Sequence, residues 1–245
     1  KKQFGSREVI LNIIYDILFC AIFGTIAIIM KFVKPFHMVI PQERDNVNVI
    51  YPWKSSTVPT WACVIIAYVP TILYIVGISV VRKSPRFFVF AALALACSAS
   101  AAVGVTNMGK VFAGRPRPHF YARIDEKGEE DDAYLSFPSG HSSCIFNGLT
   151  FLSLLIAGQL HLFSTGQESW KLLIVMLPMV IAGTVAITRT RDYHHNFSDI
   201  LGGTLIGIFF AVLVYMTKFK ALSSEDSDQM KIDPKEEDEE QQLDE

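Results

Sequence analysis

Six long stretches of this chain pass almost without charge, and they decide what it can fold into. They run from about Ile13 to Val33, Thr60 to Val81, Phe87 to Thr106, Ser142 to Leu162, Lys171 to Ile187 and Ile200 to Thr217. About 20 apolar residues in a helix cross the roughly 30 Å of hydrocarbon in a bilayer. No water is available there to satisfy backbone N–H and C=O groups, so such runs fold as helices. Of the 245 residues 51% are hydrophobic and 19% charged, and the charges cluster between the runs. A soluble domain of this size would spread charge over every surface helix. The expected fold is therefore all-α and polytopic, with six transmembrane helices. Residues 1–12 read as a short basic cytosolic N-terminus, 13–220 as the membrane domain and 221–245 as an acidic, disordered cytosolic tail.

Several function classes recede at this point. No basic stripe with interleaved aromatics appears, so nucleic acid is not an expected partner. The net charge of −2 averages a basic half against the acidic tail and says little. Cys20, Cys63, Cys97 and Cys144 all fall inside apolar runs without metal-type spacing, and read as small packing residues. The first run is too long for a signal-peptide core and is read as a retained span. Asp16 in that run is placed at the headgroup level. Tyr51, Trp53 and Trp61 suit an interfacial position. The third span, rich in Ala, Ser and Gly, is expected at the bundle centre.

Six spans put both termini on one side. The basic segments Lys1–Arg7, Arg82–Arg86, Lys171 and Lys218–Lys220 fall on that same side, which the bias of short-loop Lys and Arg makes cytosolic. Three polar clusters then share the opposite, extracellular or lumenal face: KVFAGRPRP (Lys110–Pro118), FPSGH (Phe137–His141) and TRTRDYHHNFSD (Thr188–Asp199).

Each cluster suits an anion. Lys110 and Arg117 lie seven apart, two helical turns, just beyond the third span. A guanidinium grips phosphate with a rigid fork of donors, and an ammonium adds a compact charge. In FPSGH, Ser139 caps the fourth span, Gly140 lets a ligand approach the backbone, and His141 projects from the first turn. In the third cluster Arg189 supplies another cation, while His195 and Asp199 are four apart and predicted to stack on one helix face. A carboxylate beside a histidine fixes its tautomer and leaves the other ring nitrogen nucleophilic. Fixed cations, a nucleophile and an acid are what phosphoryl transfer requires. His195 fits the nucleophile and His141 the acid. The acidic stretch of residues 125–132 lacks histidine partners and defined spacing, so neither a metal nor any other cofactor is expected.

The clusters resemble the type 2 phosphatidic acid phosphatase superfamily, the lipid phosphate phosphatases. Its pattern is Lys, six residues, Arg-Pro; then Pro-Ser-Gly-His; then Ser-Arg, five residues, His, three residues, Asp. Lys110 and Arg117-Pro118 match the first part, Pro138-Ser139-Gly140-His141 the second, and Arg189, His195 and Asp199 the third. Thr188 replaces the usual Ser, and His119 stands where relatives often have Asp. His194 is a rival for His195, but only His195 keeps the spacing to both Arg189 and Asp199. The resemblance implies a helical core of the haloperoxidase and phosphatidic acid phosphatase kind. It implies a phosphohistidine on His195 oriented by Asp199, with His141 as acid and later as base. It also implies a phosphate cradle of Lys110, Arg117, Ser139, Gly140 and Arg189. The substrate class would be a lipid phosphate in the bilayer, such as phosphatidate, lysophosphatidate, sphingosine phosphate or diacylglycerol pyrophosphate. Polyprenyl pyrophosphate, a sugar phosphate and a non-catalytic lipid-binding role are the alternatives, and homo-oligomerisation is left open.

Overall fold

A computed structural model describes residues 6–41, 45–163 and 168–231. The basic residues Lys1 and Lys2, the turn at Gly166 and the acidic residues beyond Lys231 lie outside these. The described chain is helical: α1 (Ser6–Ile29), α2 (Thr60–Val81), α3 (Pro85–Ala113), α4 (Phe120–Lys127), α5 (Glu130–Ala133), α6 (Gly140–Gln159), α7 (Ser169–Arg191) and α8 (Phe197–Lys218). Six of these, all but the short α4 and α5, are long and apolar enough to cross a bilayer, and the protein is a multi-pass membrane protein.

The bundle is built around α6, which packs on α2, α3, α7 and α8. The most apolar window of α6 is 67% buried against 50% in α3, so the centre expected for α3 belongs to its neighbour. Small residues explain the exchange. Gly148 of α6 lies so close to α2 that a Cβ would sit 2.2 Å from the Ala67 carbonyl oxygen. Gly207 of α8 meets the Ser143 carbonyl in the same way, at 2.5 Å. Close backbone approach of this kind is how helices associate where water gives no hydrophobic push. Asn147 adds a polar tie at mid-bundle: its Nδ2 donates to Ser98 Oγ at 2.7 Å and to the Gly207 carbonyl at 3.2 Å.

Three features differ from the sequence reading. First, α3 continues past Thr106 to Ala113 and carries Lys110 on its last turn. Polar Thr106 and Asn107 end the apolar run without ending the helix, which stops at Gly114 in the left-handed region (φ 53°). Arg117 therefore lies in the connection between α3 and α4 and not two turns along the same helix as Lys110. Second, Asp16 is buried, with its carboxylate accepting from Lys218 Nζ at 2.5 and 2.7 Å. Third, the first part of the supposed tail is packed. Phe219 pairs with Met230 in an isolated bridge, and Ser227, fully buried, donates to the Gly158 carbonyl at 3.0 Å. Asp228 accepts from Arg82 at 2.5 Å. An apolar residue pair and a charge complement hold residues 219–231 where average composition suggests no core.

The long connection between α3 and α6 is ordered as well. It contains α4 and α5, which bury Phe120 and Ala133 against Val49, and Arg123 forms ion pairs with Glu129 and Asp132.

Candidate active site

Chain direction brings the three clusters together. The C-terminal ends of α3 and α7 and the N-terminal ends of α6 and α8 meet at one end of the bundle, around a cavity of about 460 Å³. Its wall includes Lys110, Arg117, Gly140, His141, Arg189 and His195, six of the eight residues singled out in the sequence.

The remaining two, Ser139 and Asp199, are fully buried behind the wall. Ser139 is the N-cap of α6, as its position in FPSGH suggests, and its Oγ accepts from Ser142 N at 3.4 Å. That hydroxyl is committed to its own helix, and its N–H donates to the Asp199 carbonyl at 2.9 Å. Gly140 stays open to the cavity, with Lys110 Cε 3.6 Å from where a Cβ would be.

His195 and Asp199 are not stacked on one helix. Tyr193 has φ 58° and Asn196 is extended, so α8 begins only at Phe197 and His195 precedes it. His195 Nδ1 is 3.9 Å from Asp199 Oδ2, beyond hydrogen-bond range, and instead donates to the Ser136 carbonyl at 2.8 Å. A carbonyl only accepts, so the proton is on Nδ1 and Nε2 keeps its lone pair. Burial, then the fields of Arg117, Lys110 and Arg189, push the His195 imidazole well below its ordinary pKa. The ring is thus neutral at pH 7.

Arg117 is buried, and its pKa is lowered mainly by burial, with Asp132 opposing. Its Nε donates to the Asp132 carbonyl at 2.9 Å, and a terminal nitrogen lies 3.1 Å from the Asp132 carboxylate. Arg189, also buried, has a side-chain Nε with no hydrogen-bond partner among the described residues.

One part of the wall escaped the sequence reading: the strap of residues 53–60 before α2. The Val58 carbonyl accepts from His141 Nε2 at 3.1 Å and from Arg189 at 3.4 Å. Thr57 is clamped by Asp192, its N–H donating at 2.6 Å and its hydroxyl at 2.7 Å. Trp53 is a wall residue and not a plain interfacial anchor, packing edge-on against His119 and His194 with Arg123 over its ring. The Val58 contacts use a backbone carbonyl, which no residue type announces; Asp192, beside Arg189, was the available signal for the Thr57 clamp.

His194, the rival histidine, also touches the cavity, but its Nε2 donates to the Lys54 carbonyl at 3.0 Å. That ties it to the strap. His119 is fully buried, its Nδ1 donating to the Tyr193 carbonyl at 2.6 Å, and burial lowers its pKa to about 4. Val64 of α2 and Val103 of α3 add apolar side chains to the cavity wall, and both are exposed. Cys63 and Cys144 line it as free thiols.

Comparison with known proteins finds relatives over most of the chain. The model of the PAP2 superfamily matches residues 87–223, which contain all three clusters. A PA-phosphatase related-family protein of Dictyostelium discoideum is 36% identical over 213 residues, 84% of this chain and 79% of that protein. Lipid phosphate phosphatase 2 of Arabidopsis thaliana is 30% identical over 223 residues, 84% of this chain and 77% of that protein. A probable diacylglycerol pyrophosphate phosphatase 1 of Schizosaccharomyces pombe is 30% identical over 205 residues, covering 75% and 74%. No solved structure is significantly similar to the chain.

Proposed function

Since this chain belongs to the PAP2 superfamily, we propose that it is an integral-membrane phosphatase that hydrolyses lipid phosphates through a phosphohistidine on His195. The observation that carries this reading is the convergence of Lys110, Arg117 and Arg189 on the cavity that His195 and His141 line. Names of relatives such as lipid phosphate phosphatase 2 support the substrate class. So does the apolar wall at Val64 and Val103, which suits an acyl chain entering from the hydrocarbon while its headgroup meets the cations.

The phosphoryl group sits among the three cations and the free N–H of Gly140, at the N-terminus of α6. These donors neutralise the charge that spreads over its oxygens, which is the largest contribution a protein makes to such a reaction. His195 Nε2 donates its lone pair to phosphorus as the bond to the lipid oxygen breaks. His141 Nε2–H stays on the Val58 carbonyl, so the protonated Nδ1 is the atom that gives its proton to the leaving lipid oxygen. The neutral His141 then takes a proton from water. The resulting hydroxide attacks phosphorus, the N–P bond breaks, and inorganic phosphate leaves with His195 restored. Three fixed cations supply the neutralisation that a metal would otherwise provide, so the reaction is read as metal-independent. The site faces the extracellular or lumenal side, on the charge bias of the loops.

Phosphate release from phosphatidate in mixed micelles, with a chelator present, tests the reading. Wild type is active; His195→Ala and His141→Ala are dead. Loss of activity with chelator and recovery with magnesium overturns the metal-independent chemistry. Equal turnover of water-soluble phosphate esters overturns the lipid assignment.

A further inference from the structure

A carbonyl, and not a carboxylate, holds the ring of His195, and the residue that offers it is Ser136. Every polar group of Ser136 is used. Its N–H donates to the Arg115 carbonyl at 3.0 Å, its C=O accepts from His195 Nδ1 at 2.8 Å, and its hydroxyl donates to Asp199 Oδ2 at 2.7 Å. The residue is fully buried. We propose that Ser136 is a positioning residue, and that Asp199 acts on His195 through it and not by direct contact. The proposal deepens the phosphohistidine reading and rests on it for its kinetic consequences.

Asp199 is suited to the part of an anchor. It is fully buried, and its carboxylate also accepts from Asn196 N at 2.8 Å and from Arg115 at 2.8 Å. Arg115 is not one of the three cations that cradle phosphate, and it donates as well to Ser198 Oγ at 2.6 Å. The negative charge is therefore met by a guanidinium and an amide, each fixed in place, and not by the imidazole. A carboxylate in direct contact would favour the imidazolium form of His195 and hide the lone pair. A neutral carbonyl fixes the same tautomer and ring direction at no such cost to nucleophilicity. The carboxylate sets where the Ser136 hydroxyl sits, the hydroxyl sets the peptide plane, and the peptide plane aims the ring.

Two measurements on the full chain in detergent test this. The first is a kinetic cycle of Ser136→Ala, Asp199→Asn and the double variant on phosphatidate. Ser136→Ala lowers kcat by about tenfold or more, the usual size for a partner one step removed from the reacting group, with KM nearly unchanged. Ser136→Thr keeps the hydroxyl and recovers most of the rate. The double variant is no worse than Asp199→Asn alone, because both break one chain of contacts. Multiplying losses, or a Ser136→Ala enzyme with wild-type kcat, overturn the proposal. The second is nitrogen-15 NMR of labelled histidine, which reads the Nδ1–H of His195 without turnover. A protected Nδ1 proton in wild type, lost to exchange in both Ser136→Ala and Asp199→Asn, supports the chain; loss only in Asp199→Asn overturns it. A wild type that hydrolyses nothing sinks the proposed function, and the NMR comparison still decides this inference.

Discussion

Replacing Arg117 by Gln removes the cation that ranks first among the charges acting on His195. Gln can still reach the Asp132 carbonyl that Arg117 Nε now uses at 2.9 Å, so the local backbone keeps a partner. Two effects follow. The first is loss of grip on the phosphoryl group. Arg117 already shares one nitrogen with the Asp132 carboxylate at 3.1 Å, so the group lost is one donor fork and not an entire cradle. Removing one such donor costs about 3–4 kcal/mol, or 10²–10³ in rate. The second concerns pH. Burial first, and then the Arg117 cation, disfavour the imidazolium and hold the His195 pKa well below its ordinary value. Taking Arg117 away makes protonation easier, and the acid limb of kcat/KM moves to higher pH. Phosphate release from phosphatidate in mixed micelles, followed through the acidic range for both proteins, measures the two together. A loss of less than about tenfold, or an acid limb that stays in place or moves down, refutes the assignment of Arg117 to the phosphate beside His195.

Other variants probe the frame. At Gly203 a Cβ would sit 2.3 Å from the Ser139 carbonyl, so Gly203→Ala forces α8 from α6 at the level that sets the two histidines apart. It costs about 1–3 kcal/mol and lowers kcat, seen as a lower Tm in detergent beside a weaker assay. Asp16→Ala strands the Lys218 ammonium and destabilises by about 3 kcal/mol in a detergent melt; Asp16→Leu with Lys218→Met recovers most of that. Asp192→Asn leaves one acceptor oxygen for the two Thr57 donors and removes the charge beside Arg189, which weakens the clamp by roughly 1 kcal/mol and raises KM for phosphatidate several-fold.

The number of crossing helices and the three clusters could be read from the chain because each depends on side-chain identity at fixed offsets. The His195–Asp199 contact could not. An offset of four implies a helix face only where a helix exists, and the left-handed Tyr193 delays the start of α8 past His195. Ser136 and Val58 were invisible for a different reason: each presents a backbone carbonyl, which all residues possess. Trp53 announced an amphipathic position but not which polar partners it would meet. Tail composition misled over residues 221–231 because a buried Ser227, the Asp228–Arg82 pair and the bridge from Met230 to Phe219 outweigh the average polarity of the stretch.

That same fold-back dictates where the protein tolerates a graft. A reporter or purification handle spliced directly after Lys218 would evict Phe219 from its stack on Tyr215 and take the Ser227 hydroxyl from the Gly158 carbonyl. One attached beyond Lys231 leaves that seam closed, and the helices it joins keep their registry.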